Sequence, residues 1–171
     1  MTDKWRFIDT GLRGAAYNMA LDEAIATAVR RDASLPTLRL YGWDMPSVSL
    51  GCFQKISDVD LEYCDKRQIT VVRRPTGGRA ILHNDEMTYS LSVKTTSGPF
   101  SRGLLDSYKK IGSALSLALS KIGLSPELRM LREKNRPATR HSTLRSPLCF
   151  HSKSYGEITI NDKKVIGSAQ K

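Results

Sequence analysis

A loop at residues 73–79, with the sequence Arg-Arg-Pro-Thr-Gly-Gly-Arg, combines the residue types that bind anions in proteins. Gly77 and Gly78 can adopt positive φ angles and approach a ligand closely, so that consecutive N–H groups point toward a phosphate or carbonyl oxygen. Arg74 and Arg79 lie on either side of them and can each contact two oxygens. This glycine loop therefore predicts a site for an anion or a carbonyl group. The alternative is an ordinary turn between two strands, with exposed arginines.

A second group suited to chemistry is Lys164, which follows a predicted turn near the end of the chain. Two β-prone runs, 155–160 and 163–170, flank Asn161 and Asp162 and predict a hairpin. Because neighbouring side chains of a strand point to opposite faces, one of the two adjacent lysines can face a cleft while the other lies in water. The alternative is that both lysines are exposed.

Two long helices are predicted among the elements that must position these groups. An apolar stripe predicts a helix over residues 17–31, with Asp22 and Glu23 on its outer side. A second stripe predicts a helix over residues 104–122 that ends at Gly123.

Short strands alternate with these helices. Ser57 or Asp58 is predicted to cap a further short helix that continues to about residue 67. The predicted strands are residues 37–42, 46–51, 69–73, 79–82 and 88–93. This alternation predicts an α/β fold with a mixed sheet.

The charge of the chain narrows the range of partners. Its 171 residues include 27 lysines and arginines against 17 aspartates and glutamates, a formal net charge of +10, which predicts acidic partners. No apolar run approaches the roughly 20 residues that cross a bilayer, and the first residues do not resemble a signal peptide. We therefore expect a cytoplasmic protein without a membrane partner. The three cysteines form no C-x-x-C pair, which argues against disulfides and structural zinc.

Residues 129–145 form the most basic segment, with six basic side chains and one acidic side chain, Glu133. The segment predicts an exposed loop, and a phosphate-binding surface is the alternative. It contains no aromatic residue on which a base could stack, which argues against nucleic acid as a partner.

Six segments together resemble the lipoate-protein ligase A and octanoyltransferase family, which has the biotin/lipoate protein ligase fold. They are residues 5–11, 18–23, 40–43, 50–54, 73–83 and 164–170, in an order that extends over nearly the whole chain. The resemblance implies a central mixed β-sheet flanked by helices. It also implies a pocket for a medium-chain acyl group or its adenylate. Carried over by position, the residues of that pocket are Arg74, Gly77, Gly78, Arg79, Ala80, His83, Lys164, Gly167 and Ser168.

Cys149 distinguishes two branches of this family. The octanoyltransferase branch is similar to this chain in having a cysteine at that place, where it is the nucleophile, whereas ATP-dependent ligases usually lack it. A free thiol has a pKa of about 8.5, and the ammonium group of Lys164 would stabilise the thiolate of Cys149. The alternative is that Cys149 is a small buried apolar residue.

A cysteine–histidine pair is the rival mechanism. His151 lies two residues after Cys149, and the separation of roughly 6.5 Å along a strand makes a direct hydrogen bond awkward. His83 is predicted to form a pocket wall or to act as a structural hydrogen-bond donor. These positions argue against histidine catalysis.

The predicted reaction transfers an octanoyl group from the thioester of acyl carrier protein to a lysine of a lipoyl domain, through a Cys149 acyl-enzyme. Lys164 would also polarise the acyl carbonyl, and the backbone of Gly77 and Gly78 would bind the oxyanion. The thioester is already activated, so no cofactor is expected. Both carrier proteins are acidic in the family, and the +10 charge would steer their association. Two alternatives stay open, namely a lipoate or biotin ligase that requires ATP and Mg, and a basic binding protein without catalysis.

Residues 1–171 are predicted to form a single domain. Members of the family continue beyond the Gly-Ser-Ala-Gln segment with further strands and a helix. We therefore expect that this chain lacks those elements and has one open sheet edge.

Overall fold

The computed structural model describes residues 4–96, 98–128 and 157–171. The chain divides into two compact units, Met1–Ser101 together with Lys171, and Arg102–Gln170. Helices and strands alternate along the chain, which confirms the predicted α/β class. That residues 1–171 act as one domain remains a prediction.

The first helix, α1 (Ala15–Arg30), forms where the apolar stripe predicts it. It begins directly after Gly14, whose backbone is extended. Glu23 is exposed, as predicted. The buried side chains recur on one face of the helix and are Ala15, Asn18, Ile25 and Val29.

The first sheet contains β1 (Arg6–Arg13), β2 (Thr37–Trp43) and β6 (Thr88–Ser92), in the order β1-β2-β6. The central strand β2 runs parallel to β1 and antiparallel to β6, so the sheet is mixed. Predicted strands 37–42 and 88–93 are confirmed with small shifts at their ends. Strand β1 has no clean alternation of apolar residues and was not predicted.

The second sheet positions the glycine loop. It contains β3 (Ser47–Leu50), β4 (Thr70–Arg73) and β5 (Ile81–His83), in the order β4-β3-β5. All four residues of β3 are buried, and the strand runs parallel to β4 and antiparallel to β5. The predicted strand 79–82 begins two residues late, because its first two residues belong to the loop.

The helix α2 (Leu61–Lys66) begins later than the sequence predicts. Its cap is Asp60, whose side chain accepts a hydrogen bond from the backbone N–H of Tyr63 at 2.9 Å. The prediction of Ser57 or Asp58 as the cap is wrong, because residues 56–58 form a separate turn of 3-10 helix.

A buried hydrogen-bond network connects α1 with β2. Arg39 is 0% exposed, and its guanidinium donates to the carboxylate of Asp22 at 2.7 Å, to the side chain of Asn18 at 2.6 Å and to the hydroxyl of Thr10 at 3.0 Å. The hydroxyl of Tyr41 donates to the other oxygen of Asp22 at 2.9 Å. Burial, and then the neighbouring carboxylate of Asp22, raises the pKa of Tyr41 well above its usual range. The prediction that Asp22 lies on the outer side of α1 is therefore wrong.

The second unit contains α3 (Leu104–Lys121) and an antiparallel sheet of β7 (Glu127–Leu128), β8 (Ile158–Ile160) and β9 (Lys163–Ile166). Gly123 follows the helix with a φ of +86°, which confirms the predicted helix end.

The turn between β8 and β9 confirms the predicted hairpin. Asn161 and Asp162 have φ angles of +49° and +59°, as a two-residue hairpin turn of type I′ requires. Asparagine and aspartate tolerate this left-handed conformation better than other residues with a side chain, which explains their place here. Residues 155 and 156 of the predicted first strand lie outside the described residues.

Candidate functional site

The glycine loop lies directly on Gly51. Gly78 has a φ of +91°, whereas Gly77 does not have a positive φ, so the conformation predicted for the two glycines is confirmed only at Gly78. A Cβ atom on Gly51 would lie 2.0 Å from the carbonyl oxygen of Gly78, so only glycine permits this approach. The backbone N–H of Cys52 donates to the carbonyl of Thr76 at 2.9 Å and fixes the start of the loop.

Arg74 holds the loop from inside. Its side chain donates to the carbonyl oxygen of Ser49 at 2.7 Å, to that of Gly77 at 2.7 Å and to that of Arg79 at 2.8 Å. Arg74 is 8% exposed, and buried carbonyls of a loop need such donors. The side chain of Arg79 is half-buried, and the role of both arginines toward a ligand remains a prediction.

The hydrogen bonds of Arg74 also decide where the loop directs its N–H groups. In a trans peptide the N–H points away from the carbonyl of the same unit. Since the carbonyls of Gly77 and Arg79 point to Arg74, the N–H groups of Gly78 and Ala80 point away from it. Ala80 is buried and Gly78 is exposed. Gly78 therefore presents an outward backbone donor at the middle of the loop.

Arg73 organises the neighbouring loop in the same way. Its guanidinium donates to the carbonyls of Gly51 at 2.8 Å and Gln54 at 2.7 Å. The side chain of Gln54 in turn accepts from the N–H of Gly51 at 3.1 Å. Arg73 thus fixes the loop at residues 51–54, and Arg74 fixes the glycine loop.

His83 lies in a chain of hydrogen bonds that begins at Arg74. Arg74 donates to the hydroxyl of Ser49 at 3.0 Å, Ser49 lies 2.7 Å from Nε2 of His83, and Nδ1 of His83 lies 2.5 Å from a carboxylate oxygen of Glu86. A carboxylate only accepts, so Nδ1 of His83 donates to Glu86, and in a neutral imidazole Nε2 then accepts from the hydroxyl of Ser49. Trp43 stacks on the imidazole with ring centroids 4.0 Å apart.

This serine, histidine and carboxylate do not form a nucleophilic triad. Ser49 is 1% exposed, and its oxygen already accepts from Arg74. A nucleophile must be reachable by its substrate and within reach of its base. The contacts instead connect His83 through Ser49 to Arg74 of the glycine loop, and whether His83 forms a pocket wall or a structural donor remains a prediction. The sequence alone did not identify Ser49, Trp43 or Glu86, which lie on separate strands or loops.

Lys164 occupies the buried face of its hairpin. Its side chain is 8% exposed, and its Nζ lies 2.5 Å from Oε1 of Glu157, whose side chain is 5% exposed. Lys163 is exposed, so the expectation that the two lysines face opposite ways is confirmed. Gly167 and Ser168 follow the strand and are half-buried, and their role toward a ligand remains a prediction.

Other predicted features lie outside the described residues. They are Cys149, His151 and the basic segment 129–145. Among the residues that the structure describes, no group of three or more histidine, cysteine, aspartate or glutamate side chains could hold a metal ion. Within the same residues, no helix is long and apolar enough to cross a membrane. The cytoplasmic location stays a prediction.

The sequence matches a known family and a named relative. A profile described as the lipoyl protein ligase A/B catalytic domain matches residues 14–171. Octanoyltransferase LipM of Kyrpidia tusciae is 42% identical over 167 residues, which are 97% of this chain and 60% of that protein. The chain thus spans about 60% of the length of this curated relative.

Two solved structures are similar to the fold. Lipoate-protein ligase A with bound ATP has a TM-score of 0.68 and 23% identity, covering 99% of this chain and 61% of that one. The second structure is a bipartite lipoate protein ligase from Thermoplasma acidophilum, studied with its E2 lipoyl domain. It has a TM-score of 0.67 and 23% identity, and the match covers 97% of this chain and 55% of that one. These similarities confirm the predicted lipoate ligase-like fold.

Proposed function

Because the chain belongs to the lipoyl protein ligase A/B catalytic domain family, we propose that it transfers an octanoyl group to a lysine of a lipoyl domain. The donor in this proposal is the thioester of octanoyl acyl carrier protein. The observation that carries it is the 42% identity with an octanoyltransferase over 97% of the chain.

The chemistry proceeds in two exchanges at one carbonyl carbon. The thiolate of Cys149 attacks the acyl carbonyl and forms a new thioester, and the thiol of the carrier protein leaves with a proton. The amine of the acceptor lysine then attacks this thioester, an amide forms, and Cys149 is released as a thiol. Neither exchange requires ATP, because the thioester already supplies the activation.

The described residues supply two parts of this proposal. The outward N–H of Gly78 is a donor suited to the oxygen that becomes negative in each tetrahedral intermediate. Its direction is fixed before any substrate arrives, since Arg74 holds the carbonyl of Gly77 at 2.7 Å. In this proposal the ammonium of Lys164 stabilises the thiolate of Cys149.

The charge of the chain agrees with the partners. A lipoyl domain and an acyl carrier protein are acidic in the family, and the net charge of +10 would accelerate their association at low salt. The archaeal ligase that is similar in fold was studied with its E2 lipoyl domain, which supports a lipoyl domain as the acceptor.

An ATP-dependent lipoate ligase is the second candidate, favoured by the similarity to lipoate-protein ligase A with bound ATP. The glycine loop fits such a nucleotide, because an outward N–H beside a positive φ suits a phosphate oxygen as well as a carbonyl. ATP with Mg would supply activation of a free acid. Formation of octanoyl-lysine from free octanoate only when ATP is added would favour this candidate over the transferase.

Mass measurement after incubation with octanoyl acyl carrier protein tests the transferase. The protein should gain one octanoyl group that hydroxylamine removes, and Cys149→Ala should abolish this gain. Cys64→Ala is a matched control, since burial and then Asp60 raise the pKa of the Cys64 thiol and make it a poor nucleophile. Cys52→Ala, which changes a half-buried thiol beside the glycine loop, is a second control. An octanoyl adduct that persists in Cys149→Ala would contradict the mechanism.

A further inference from the structure

One face of the β8–β9 hairpin carries three buried polar residues. Thr159 lies opposite Lys164 in the register of the two strands, so their side chains share a face. Glu157 precedes Thr159 by two residues and shares that face as well. Glu157 is 4% exposed and Thr159 is 1% exposed. The hairpin thus buries an ammonium, a carboxylate and a hydroxyl side by side.

An extra residue in β9 assists this arrangement. The register moves from Thr159 opposite Lys164 to Ile158 opposite Ile166, which leaves Val165 as the additional residue of a bulge. Bulges bend a strand and change the direction of its side chains, and they are common next to active sites. The bulge lies directly after Lys164, on the side toward Glu157.

Two buried oxygens on this face, one of Glu157 and one of Thr159, are unbonded within the described part of the chain. Oε1 of Glu157 lies 2.5 Å from Nζ of Lys164. The second oxygen of Glu157 and the hydroxyl of Thr159 are buried and have no hydrogen-bond partner among the described residues. Buried polar atoms in native proteins are usually hydrogen-bonded, so each exception calls for an explanation.

We propose that Glu157 is a positioning residue for acyl transfer, which holds the ammonium of Lys164 in place by its carboxylate. This inference rests on the proposed function, which assigns Lys164 to the reaction. A lysine side chain has four flexible bonds and carries a compact charge, so its ammonium has no fixed position without a partner. The carboxylate restricts that freedom and compensates the charge in a buried site.

The pairing also changes what Lys164 can contribute. A buried ammonium beside a carboxylate acts as an oriented pair of opposite charges, with a weaker effect at a distance than a lone cation. The position of the ammonium therefore matters more than its charge alone. Displacing a catalytic group by about 1 Å can reduce a rate by about 100-fold.

A double-mutant cycle on octanoyl transfer tests this role. Glu157→Gln should lower kcat by about tenfold or more while KM for octanoyl acyl carrier protein changes little, because the carboxylate acts through the ammonium. In the Lys164→Met background, Glu157→Gln should change kcat by less than about twofold. Glu62→Gln is the matched control, since it makes the same change in a glutamate–lysine pair of α2 whose side chains are both exposed, and it should leave kcat unchanged.

The outcomes separate this inference from the proposed function. If Glu157→Gln does not fold, Lys164→Met is compared with the double variant, which carries no uncompensated charge at this site. Equal kcat values for these two proteins support the positioning role, and a further tenfold loss in the double variant overturns it. Wild-type kcat in Glu157→Gln overturns the inference and leaves the transferase intact. A wild-type protein that transfers no octanoyl group overturns the proposed function, and this inference with it.

Discussion

Arg39 in the first unit and Lys164 in the second unit are both buried cations, but their surroundings differ. Arg39 donates hydrogen bonds to Thr10, Asn18 and Asp22 at distances of 2.6–3.2 Å. The hydroxyl of Tyr41 donates to the second carboxylate oxygen of Asp22. Beside Lys164, one oxygen of Glu157 has no hydrogen-bond partner within the described residues. A completed network suits a structural role, whereas unused acceptors suit a group that meets a ligand.

The largest effect should come from Arg39→Met. The substitution leaves Asp22 and Asn18 without the guanidinium, and breaking a buried ion pair costs about 3–5 kcal/mol in the free energy of unfolding. Urea denaturation followed by circular dichroism measures the loss. Arg30→Met, which removes an exposed arginine at the end of the same helix, should cost about 0.5 kcal/mol or less. A similar loss in both variants would contradict the structural role of the Arg39 network.

Arg74→Met should have the next largest effect. It should lower both the free energy of unfolding and the rate of octanoyl transfer. Its guanidinium bonds to the carbonyls of Ser49, Gly77 and Arg79, and leaving them unbonded should cost about 1–3 kcal/mol. The glycine loop would lose the direction of its N–H groups, so octanoyl transfer should fall in the folded protein as well. Thermal melting and the initial rate, measured on the same sample, separate the two losses. If the variant is less stable but transfers octanoyl groups at the wild-type rate, Arg74 has a purely structural role, as Arg39 does.

Thr159→Val should have the smallest effect on stability. Valine has the shape of threonine, and the hydroxyl that it removes makes no hydrogen bond within the described residues. The free energy of unfolding should change by about 0.5 kcal/mol or less. Thr37→Val on β2 is the control, because the Thr37 hydroxyl donates to the carbonyl of Leu35 at 2.8 Å and its loss should cost more. Equal losses at the two positions would show that the Thr159 hydroxyl is bonded in solution.

Local patterns predicted most elements and the glycine loop. The helices α1 and α3 and the hairpin turn at Asn161 depend on periodicity and turn chemistry within a few residues. The cap of α2 was missed because three acceptable cap residues lie between positions 57 and 60, and local sequence does not choose among them.

Features that depend on distant partners were not predictable. Asp22 turns inward because Arg39, 17 residues away, requires a counterion. The hydrogen bonds of His83 connect it to Ser49 on another strand and to Glu86 in a loop. Glu157 meets Lys164 only in the register that the bulge at Val165 sets. In each case the sequence shows the residue type but not the contact.

The pair of arginines at the end of β4 has a consequence for ligand affinity. Arg73 holds the carbonyls of Gly51 and Gln54, and Arg74 holds those of Gly77 and Arg79. Ordering one backbone residue costs about 1–2 kcal/mol of conformational entropy, and here that cost falls on folding rather than on binding. A ligand that meets these loops finds them already ordered, so more of its contact energy remains as affinity.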